Sequence, residues 1–372
     1  MSTLYLPTQE AFAGRLARLL AAQPGLPPAV PEAFAAYPRH WFIDRLGGVD
    51  IDPTTCDPEL LERIYSDQAL CLQQQGEVGT SSTSQPSLMA QMMVDAGLRP
   101  GARVLEIGTG SGWNAALMAH LVGPTGSVVS VEVDPALAAA AQRHLDRLPT
   151  TAPVALRCAD GLLGAPDLAP FDAIMVTVAC PDIPVAWLSQ LAAGGRLVLP
   201  YALPDGSAPL LALRRESEGW HGRWLRWAWF VGLRGDTLPD WPSPRQVEGE
   251  LARRDLPAGP WLQPGSGLRA TASLDLWLMT HDDAFAVARY DDRLMGGLWQ
   301  PDALALADAP ELRWRGDAAL ADRLAAHCQA WQRAGSPKLT DYTVHLADPG
   351  PSRNVVPWAR PVTPLWLSWP GR

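Results

Sequence analysis

A largely parallel α/β sheet with antiparallel strands at one edge, followed by an α+β extension, is the fold class this sequence predicts, on three observations. First, from Gly101 to Pro200 short apolar runs alternate with helical segments: "RVLEIG", "NAALMAHLV", "SVVSVEV", "PALAAAAQRHLDRL", "PVALRCA", "FDAIMVTVA". Strand and helix in repetition, with strands apolar throughout, is the pattern of parallel strands covered on both faces. Second, the helices drop out after Pro200, and "LLALRRE", the turn "SEG" and "WHGRWLRWAWFVGL" read as antiparallel strands added at the sheet edge. Third, thirteen of the sixteen tryptophans stand at or beyond Trp220, a shift in composition that marks another unit.

Taken in order, Ala11 to Ala22 carries a helical pattern ended by "QPGLPP", whose prolines and glycine stop helices. Residues 29 to 79 are mixed, with "YPRHWFIDR" and "DPELLERIYSDQAL" parted by the turn-rich "GGVDIDPTTCD". We therefore expect three segments: 1–79, helical with a loop region; 80–234, the α/β domain; and 235–372, the Trp-rich extension. In the extension "SLDLWLMT" reads as a short strand. "DAALADRLAAHCQAWQRAG" reads as a helix, because Leu320, Leu324, Cys328 and Trp331 fall at near-helical spacing. Trp227 and Trp229 share strand parity with Leu225, which predicts packing of one sheet face in preference to an open stacking groove.

Composition excludes several classes. A net charge of −9 over 372 residues is not the clustered basic footprint that nucleic acid requires. Lys338 is the only lysine and lies outside any glycine-rich loop, which excludes a Walker-type phosphate site. Cys56, Cys71, Cys158, Cys180 and Cys328 form no C-x-x-C pair, and His221, His281, His327 and His345 show no metal-ligand spacing, so neither a metal site nor a disulfide framework is expected. With no run of ~18 apolar residues, the chain reads as soluble and cytoplasmic.

The glycine loop is "VLEIGTGSGWN", with Gly108, Gly110 and Gly112 after an apolar strand and before a helix starting near Asn114. Glycines here allow positive φ and close backbone approach to a ligand, and Thr109 stands among them. The G-x-G-x-G spacing departs from the G-x-G-x-x-G that seats a dinucleotide pyrophosphate. Glu106, just ahead of the loop, would repel such a pyrophosphate, which disfavours a nicotinamide dehydrogenase. A donor with positive charge and no phosphate, S-adenosyl-L-methionine, suits an acidic strand end. Glu132 closes the second strand in "SVVSVEVD", placed to accept from ribose hydroxyls. Asp160, followed by Gly161 in "CADG", closes the third and could meet the adenine amino group. Read by itself, each carboxylate also fits a strand-end cap or salt bridge. Asp134, before Pro135 and an Ala-rich run, reads as a helix N-cap.

Ahead of the loop, "TSSTSQPS" (Thr80 to Ser87) places six hydroxyls in eight residues. Alone, such a cluster fits a turn and helix cap as well as a ligand site. Together with "PRHWF" (Pro38 to Phe42), "YSDQAL" (Tyr65 to Leu70), "STSQP" (Ser82 to Pro86), "FDAIMVTVACPDIP" and "LAAGGRLVLP", it resembles the protein-L-isoaspartate O-methyltransferases over residues 38 to 234. The resemblance implies a Rossmann-like methyltransferase fold and methyl transfer from S-adenosyl-L-methionine to an isoaspartyl or aspartyl carboxylate in a peptide or protein. It matches Ser84 to the family's active-site serine and Ser82 to its neighbouring threonine. Ser81 stands where a glutamine is usual, and Ser87 where an aromatic or His is usual. With the extension, these departures point to relatives that tailor ribosomally made peptides, where the acceptor is a cyclised precursor and the ester collapses to an aspartimide. General isoaspartyl repair, and a non-catalytic binding scaffold, are the alternatives.

Overall fold

The computed structural model describes residues 9–54, 57–76, 78–203, 207–216, 219–235, 246–247, 258–260, 271–290, 293–308, 311–346, 355–358 and 365–369. The chain divides into two compact units, Met1–Pro200 with Arg214–Ser217 and Phe230–Pro239, and Tyr201–Leu213 with Glu218–Trp229 and Asp240–Arg372.

In the first unit, helices α1 (Gln9–Ala21) and α2 (Ala29–Ala36) are followed by the short pair β1 (Arg45–Leu46) and β2 (Val49–Asp50), then α3 (Pro58–Ile64). A hairpin, β3 (Leu70–Gln75) and β4 (Val78–Thr83), leads into α4 (Pro86–Asp95). The sheet is built from β5 (Arg103–Ile107), β6 (Ser127–Glu132), β7 (Val154–Cys158), β8 (Phe171–Val176) and β9 (Leu191–Pro200). Its order is β7-β6-β5-β8-β9, and every one of these pairings is parallel. Between strands lie α5 (Trp113–Val122), α6 (Pro135–Arg147) and α7 (Val185–Ser189).

The sequence explains this order of layers. Val104, Leu105, Ile107 and residues 173–176 are fully buried, as strands covered on both faces must be. Helix α5 is apolar on nearly every side and buried from Ala115 to Ala119, so it runs within the core rather than along a surface. Asp134 caps α6, its carboxylate accepting from the N–H groups of Ala136 and Leu137, a contact type worth ~1 kcal/mol. The chain lays β5 first, works outward through β6 and β7, then returns to the other side of β5 for β8 and β9. Neighbouring crossovers therefore diverge at β5 and β8, and the crevice left at the strand C-termini is where ligands bind in such sheets.

Residues 1–79 do not form a unit of their own, contrary to the expected boundary at 79/80. Phe34 of α2 packs edge-on to Trp113 of α5, with ring centroids 5.3 Å apart, and the Trp113 indole N–H donates to the Tyr37 carbonyl at 2.7 Å. The N-terminal helices complete the core on which the sheet depends.

The second unit holds β10 (Leu210–Glu216, its end in the first unit), β11 (Gly219–Arg226), β12 (Gln246–Val247), β13 (Ala258–Pro260), α8 (Thr271–His281), β14 (Phe285–Tyr290), β15 (Arg293–Gln300), β16 (Ala303–Asp308), β17 (Glu311–Arg315), α9 (Ala318–Arg333), β18 (Thr343–His345), β19 (Val355–Trp358) and β20 (Leu365–Ser368). One row of strands runs β19-β20-β18-β11-β10, and a six-stranded sheet runs β12-β14-β15-β16-β17-β13. Strands β10 and β11 are those expected after Pro200. Helix α9 buries Leu320, Leu324, Cys328 and Trp331 as expected. "SLDLWLMT" is helical, not a strand: Leu274, Leu276 and Leu278 alternate only because α8 is buried on most sides, with Trp277 buried among them. Trp229 is 73% exposed, so the sheet-face packing expected for it is not present; β11 ends at Arg226, before that parity can act. Within this unit the buried tryptophan of β11 is Trp224, edge-on to Tyr201.

Candidate active site

The crevice at β5 and β8 is a cleft lined by the glycine loop, the start of α5, the end of β6, the segment Val231–Arg234 and the hydroxyl-rich stretch Thr80–Ser84. It encloses about 750 Å³ of empty space, part of it open to solvent.

Gly108 shapes its floor. Its φ is +94°, and a β-carbon there would stand 2.7 Å from Thr177 Oγ1. That hydroxyl donates to the Gly108 carbonyl at 2.6 Å, so the end of β8 grips the loop. Gly110 faces the opposite wall; a β-carbon on it would lie 3.6 Å from the Ser82 carbonyl oxygen. His144, buried on α6, contacts the Ser111 carbonyl at 2.9 Å through Nδ1 and Asp44 at 2.9 Å through Nε2, and so anchors the loop from behind.

The structure separates the predicted residues into two groups. Ser82, Ser84, Gly108, Gly110, Glu132 and Gly161 line the cleft. The Glu132 carboxylate accepts from the N–H groups of Gly110 (2.9 Å) and Asp134 (3.1 Å), which leaves acceptor capacity for ribose hydroxyls. Among the described residues the hydroxyls of Ser82 and Ser84 make no hydrogen bond.

Glu106, Thr109, Gly112 and Asp160 do not line it. Glu106 is wholly buried, with one oxygen taking the Ser130 hydroxyl at 2.5 Å and the other the Asn114 amide at 2.6 Å. Burial pushes its pKa up to about 7, against the downward pull of those two donors and with the Glu132 charge adding to the rise. Glu106 thus sits beneath the loop with both oxygens engaged by Ser130 and Asn114. Thr109 is buried on Ser130 at 2.6 Å. Gly112 backs onto Ala141 of α6. Asp160 accepts from the Leu162 N–H at 2.9 Å and caps a single 3-10 turn.

Residues that sequence reasoning missed include Asn114, Arg234, Arg39 and Asp67. Asn114 lines the cleft, and because its amide nitrogen is spent on Glu106, its oxygen is buried without a partner. Arg234 is the only cationic residue on the described lining, 3.9 Å from Asp134. Arg39 and Asp67 lie behind Ser84. A glycine spacing signals a loop, but nothing in local sequence signals which distant side chains converge on it.

These features fit S-adenosyl-L-methionine. The ammonium of its amino acid end would meet the orphaned Asn114 oxygen with the Glu106 carboxylate behind it, and the ribose would meet Glu132, while Val133, Leu137 and Val178 offer apolar walls. No lysine or arginine stands in the glycine loop to hold a pyrophosphate.

Residues 50–235, half of the chain, match the protein family described as "Protein-L-isoaspartate(D-aspartate) O-methyltransferase". A protein-L-isoaspartate O-methyltransferase of Thermotoga maritima is 40% identical over 179 residues, 48% of this chain and 52% of that protein, so about half of its length is matched. One from Anaeromyxobacter dehalogenans is 44% identical over 163 residues, 44% of this chain and 74% of that one. A solved structure titled protein-L-isoaspartate O-methyltransferase, 26% identical, covers 90% of this chain and 96% of its own with a TM-score of 0.56. Among the described residues no helix is long and apolar enough to cross a membrane. Parallel sheet, glycine loop and family match agree: this chain belongs to the protein-L-isoaspartate (D-aspartate) O-methyltransferase family, enzymes that take their methyl group from S-adenosyl-L-methionine.

Proposed function

We propose that this chain methylates the free carboxylate of an isoaspartyl or aspartyl residue in a peptide or protein. The observation that carries the reading is the pairing, across one cleft, of a donor-binding wall (Glu132, Asn114, Gly108) with a wall of uncommitted hydroxyls (Ser82, Ser84). When bound, the cofactor supplies an electrophilic methyl group. An acceptor carboxylate is already ionised at neutral pH, so the protein needs no general base; it has to orient the acceptor. Ser84, with Ser82 beside it, donates neutral hydrogen bonds that hold one carboxylate oxygen and leave the other free to attack. Ordering both partners this way is worth several powers of ten in rate. Arg234 on the rim adds attraction for anionic acceptors.

The ester has methanol as a leaving group, so the next backbone amide nitrogen attacks the ester carbonyl and closes a five-membered imide. Methanol departs with the amide proton. In an isoaspartyl protein this is the first step of repair; in a cyclised precursor peptide it is a tailoring step. The tailoring reading rests on Ser81 and Ser87, where the substrate loop departs from the family pattern. The extension weighs less, because the solved structure that covers 90% of this chain carries the isoaspartate title. Incubation with an isoaspartyl hexapeptide and, separately, with a macrocyclic Asp-containing peptide decides between them. Turnover of the macrocycle alone is the tailoring result, turnover of the hexapeptide alone is the repair result, and turnover of neither rejects carboxyl methylation of both acceptors. Ser84→Ala is expected to lower kcat/KM about ten-fold or more, by loss of hydrogen bonding to a charged acceptor, with S-adenosylhomocysteine affinity unchanged in calorimetry. Full activity in that variant removes Ser84 from the reaction.

A further inference from the structure

The segments 38–42, 65–70 and 82–86, which lie far apart in sequence, meet at one buried guanidinium. Arg39 is wholly buried. Its Nε donates to Thr83 Oγ1 (3.3 Å), its Nη1 to the carbonyls of Ile64 (2.9 Å) and Ser66 (3.2 Å), and its Nη2 to those of Gln68 (3.0 Å), Thr83 (2.8 Å) and Ser84 (2.9 Å). All five N–H groups are in use, on six acceptors, and not one is a carboxylate. The Trp113 ring closes one face of the group, 5.1 Å from Cζ. Beside it Asp67 accepts from the Ser87 N–H (2.8 Å) in the first turn of α4 and from the Gln85 amide (3.2 Å). The backbone on both sides of Ser84 is thus held from behind, by a cation on one side and an anion on the other.

Even with the Asp67 charge nearby, burying a cation that hydrogen-bonds no carboxylate is costly unless its hydrogen bonds are complete. Here they are complete, and half of them go to residues 83 and 84 of the cleft wall. We propose that Arg39 is a positioning residue for the methyl transfer: it fixes the Thr83–Ser84 backbone so that the Ser84 hydroxyl is already in place when the acceptor carboxylate arrives. The inference rests on the reading of Ser84 given above. A lysine cannot substitute, because three donors on one nitrogen cannot reach both segments, and a misplacement of about 1 Å costs on the order of a hundred-fold in rate.

A double-mutant cycle tests this. Arg39→Lys, Ser84→Ala and the double variant are compared for kcat/KM on an isoaspartyl peptide and for S-adenosylhomocysteine affinity by calorimetry. We expect Arg39→Lys to lose about ten- to a hundred-fold in kcat/KM, to bind S-adenosylhomocysteine within about two-fold of wild type, and to add little further loss when Ser84 is already alanine, since residues acting as a unit are non-additive. Wild-type activity in Arg39→Lys, a parallel loss of ligand affinity, or fully additive losses overturn the proposal while leaving Ser84 its role. Full activity in Ser84→Ala overturns both. Should Arg39→Lys fail to fold, Thr83→Val, which removes only the Nε contact, takes its place in the cycle. A several-fold loss that disappears in the Ser84→Ala background supports the proposal, and an equal loss in both backgrounds overturns it.

Discussion

At the scale of single residues, Glu106 is the group whose charge matters most and whose contacts are least visible from sequence. Burial, its largest influence, lifts the pKa from 4.5 to about 7. Between those values the folded chain holds a proton that the unfolded chain has released, so the stability owed to Glu106 falls as pH rises through this window and stays low above it. At about 1.4 kcal/mol per pH unit, the loss is roughly 3 kcal/mol. Glu106→Gln is therefore expected to unfold at a higher temperature than wild type at pH 8, with little difference near pH 5, in calorimetric scans without ligand; the same difference at both pH values would rule out ionisation as the cause. A ligand ammonium placed beside Asn114 favours the ionised form, so wild-type S-adenosylhomocysteine binding should weaken as pH drops below 7 and release a proton there. Equal heats in buffers of different ionisation enthalpy would contradict this. Glu132 and Gly108 were legible because a strand end and a glycine spacing are local signals. The burial of Glu106 on Ser130 and Asn114 was not legible, because both partners reach it only through the fold. Arg39 was hidden because its partner Thr83 lies 44 positions away.

Among elements, the β3–β4 hairpin forms one wall of the cleft and is tied across it. Thr80 Oγ1 donates to Gln73 at 2.9 Å, and the Gln73 amide donates to Asp134 at 3.1 Å, the same carboxylate that caps α6. Gln73→Ala removes the tie without touching the glycine loop or the serines. We expect S-adenosylhomocysteine to dissociate several-fold faster from this variant, in stopped-flow measurements, at a cost of about 1 kcal/mol or less in affinity; unchanged dissociation would show that the wall is held by its other contacts. On the far side of α5, Phe34→Ala opens the edge-on contact with Trp113 and should cost ~3–5 kcal/mol in stability, read from denaturant midpoints at constant m. Alternating strands and helices were readable because the period of apolar residues changes between them. Helix α8 was not, because an element buried on most sides has no period to read, and Leu274, Leu276 and Leu278 imitate a strand.

For the whole molecule, the charge of −9 falls to zero near pH 5.3, where self-repulsion vanishes and association is favoured. Turbidity should therefore peak near that pH and decline on both sides; a peak above pH 7 would place the cause in a local patch instead. The division into two units was half visible in the sequence. The shift in tryptophan content marked a change near Trp220, but not that strands on either side of it are shared out between units. The path of the chain passes from one unit to the other after Pro200, Leu213, Ser217, Trp229 and Pro239, and the second of these passages divides the seven-residue strand β10. A junction placed anywhere between residues 201 and 239 therefore parts segments that belong to the same unit. A working chimera has to keep residues 201–239 intact from one parent, with its junction at one end of that stretch or the other.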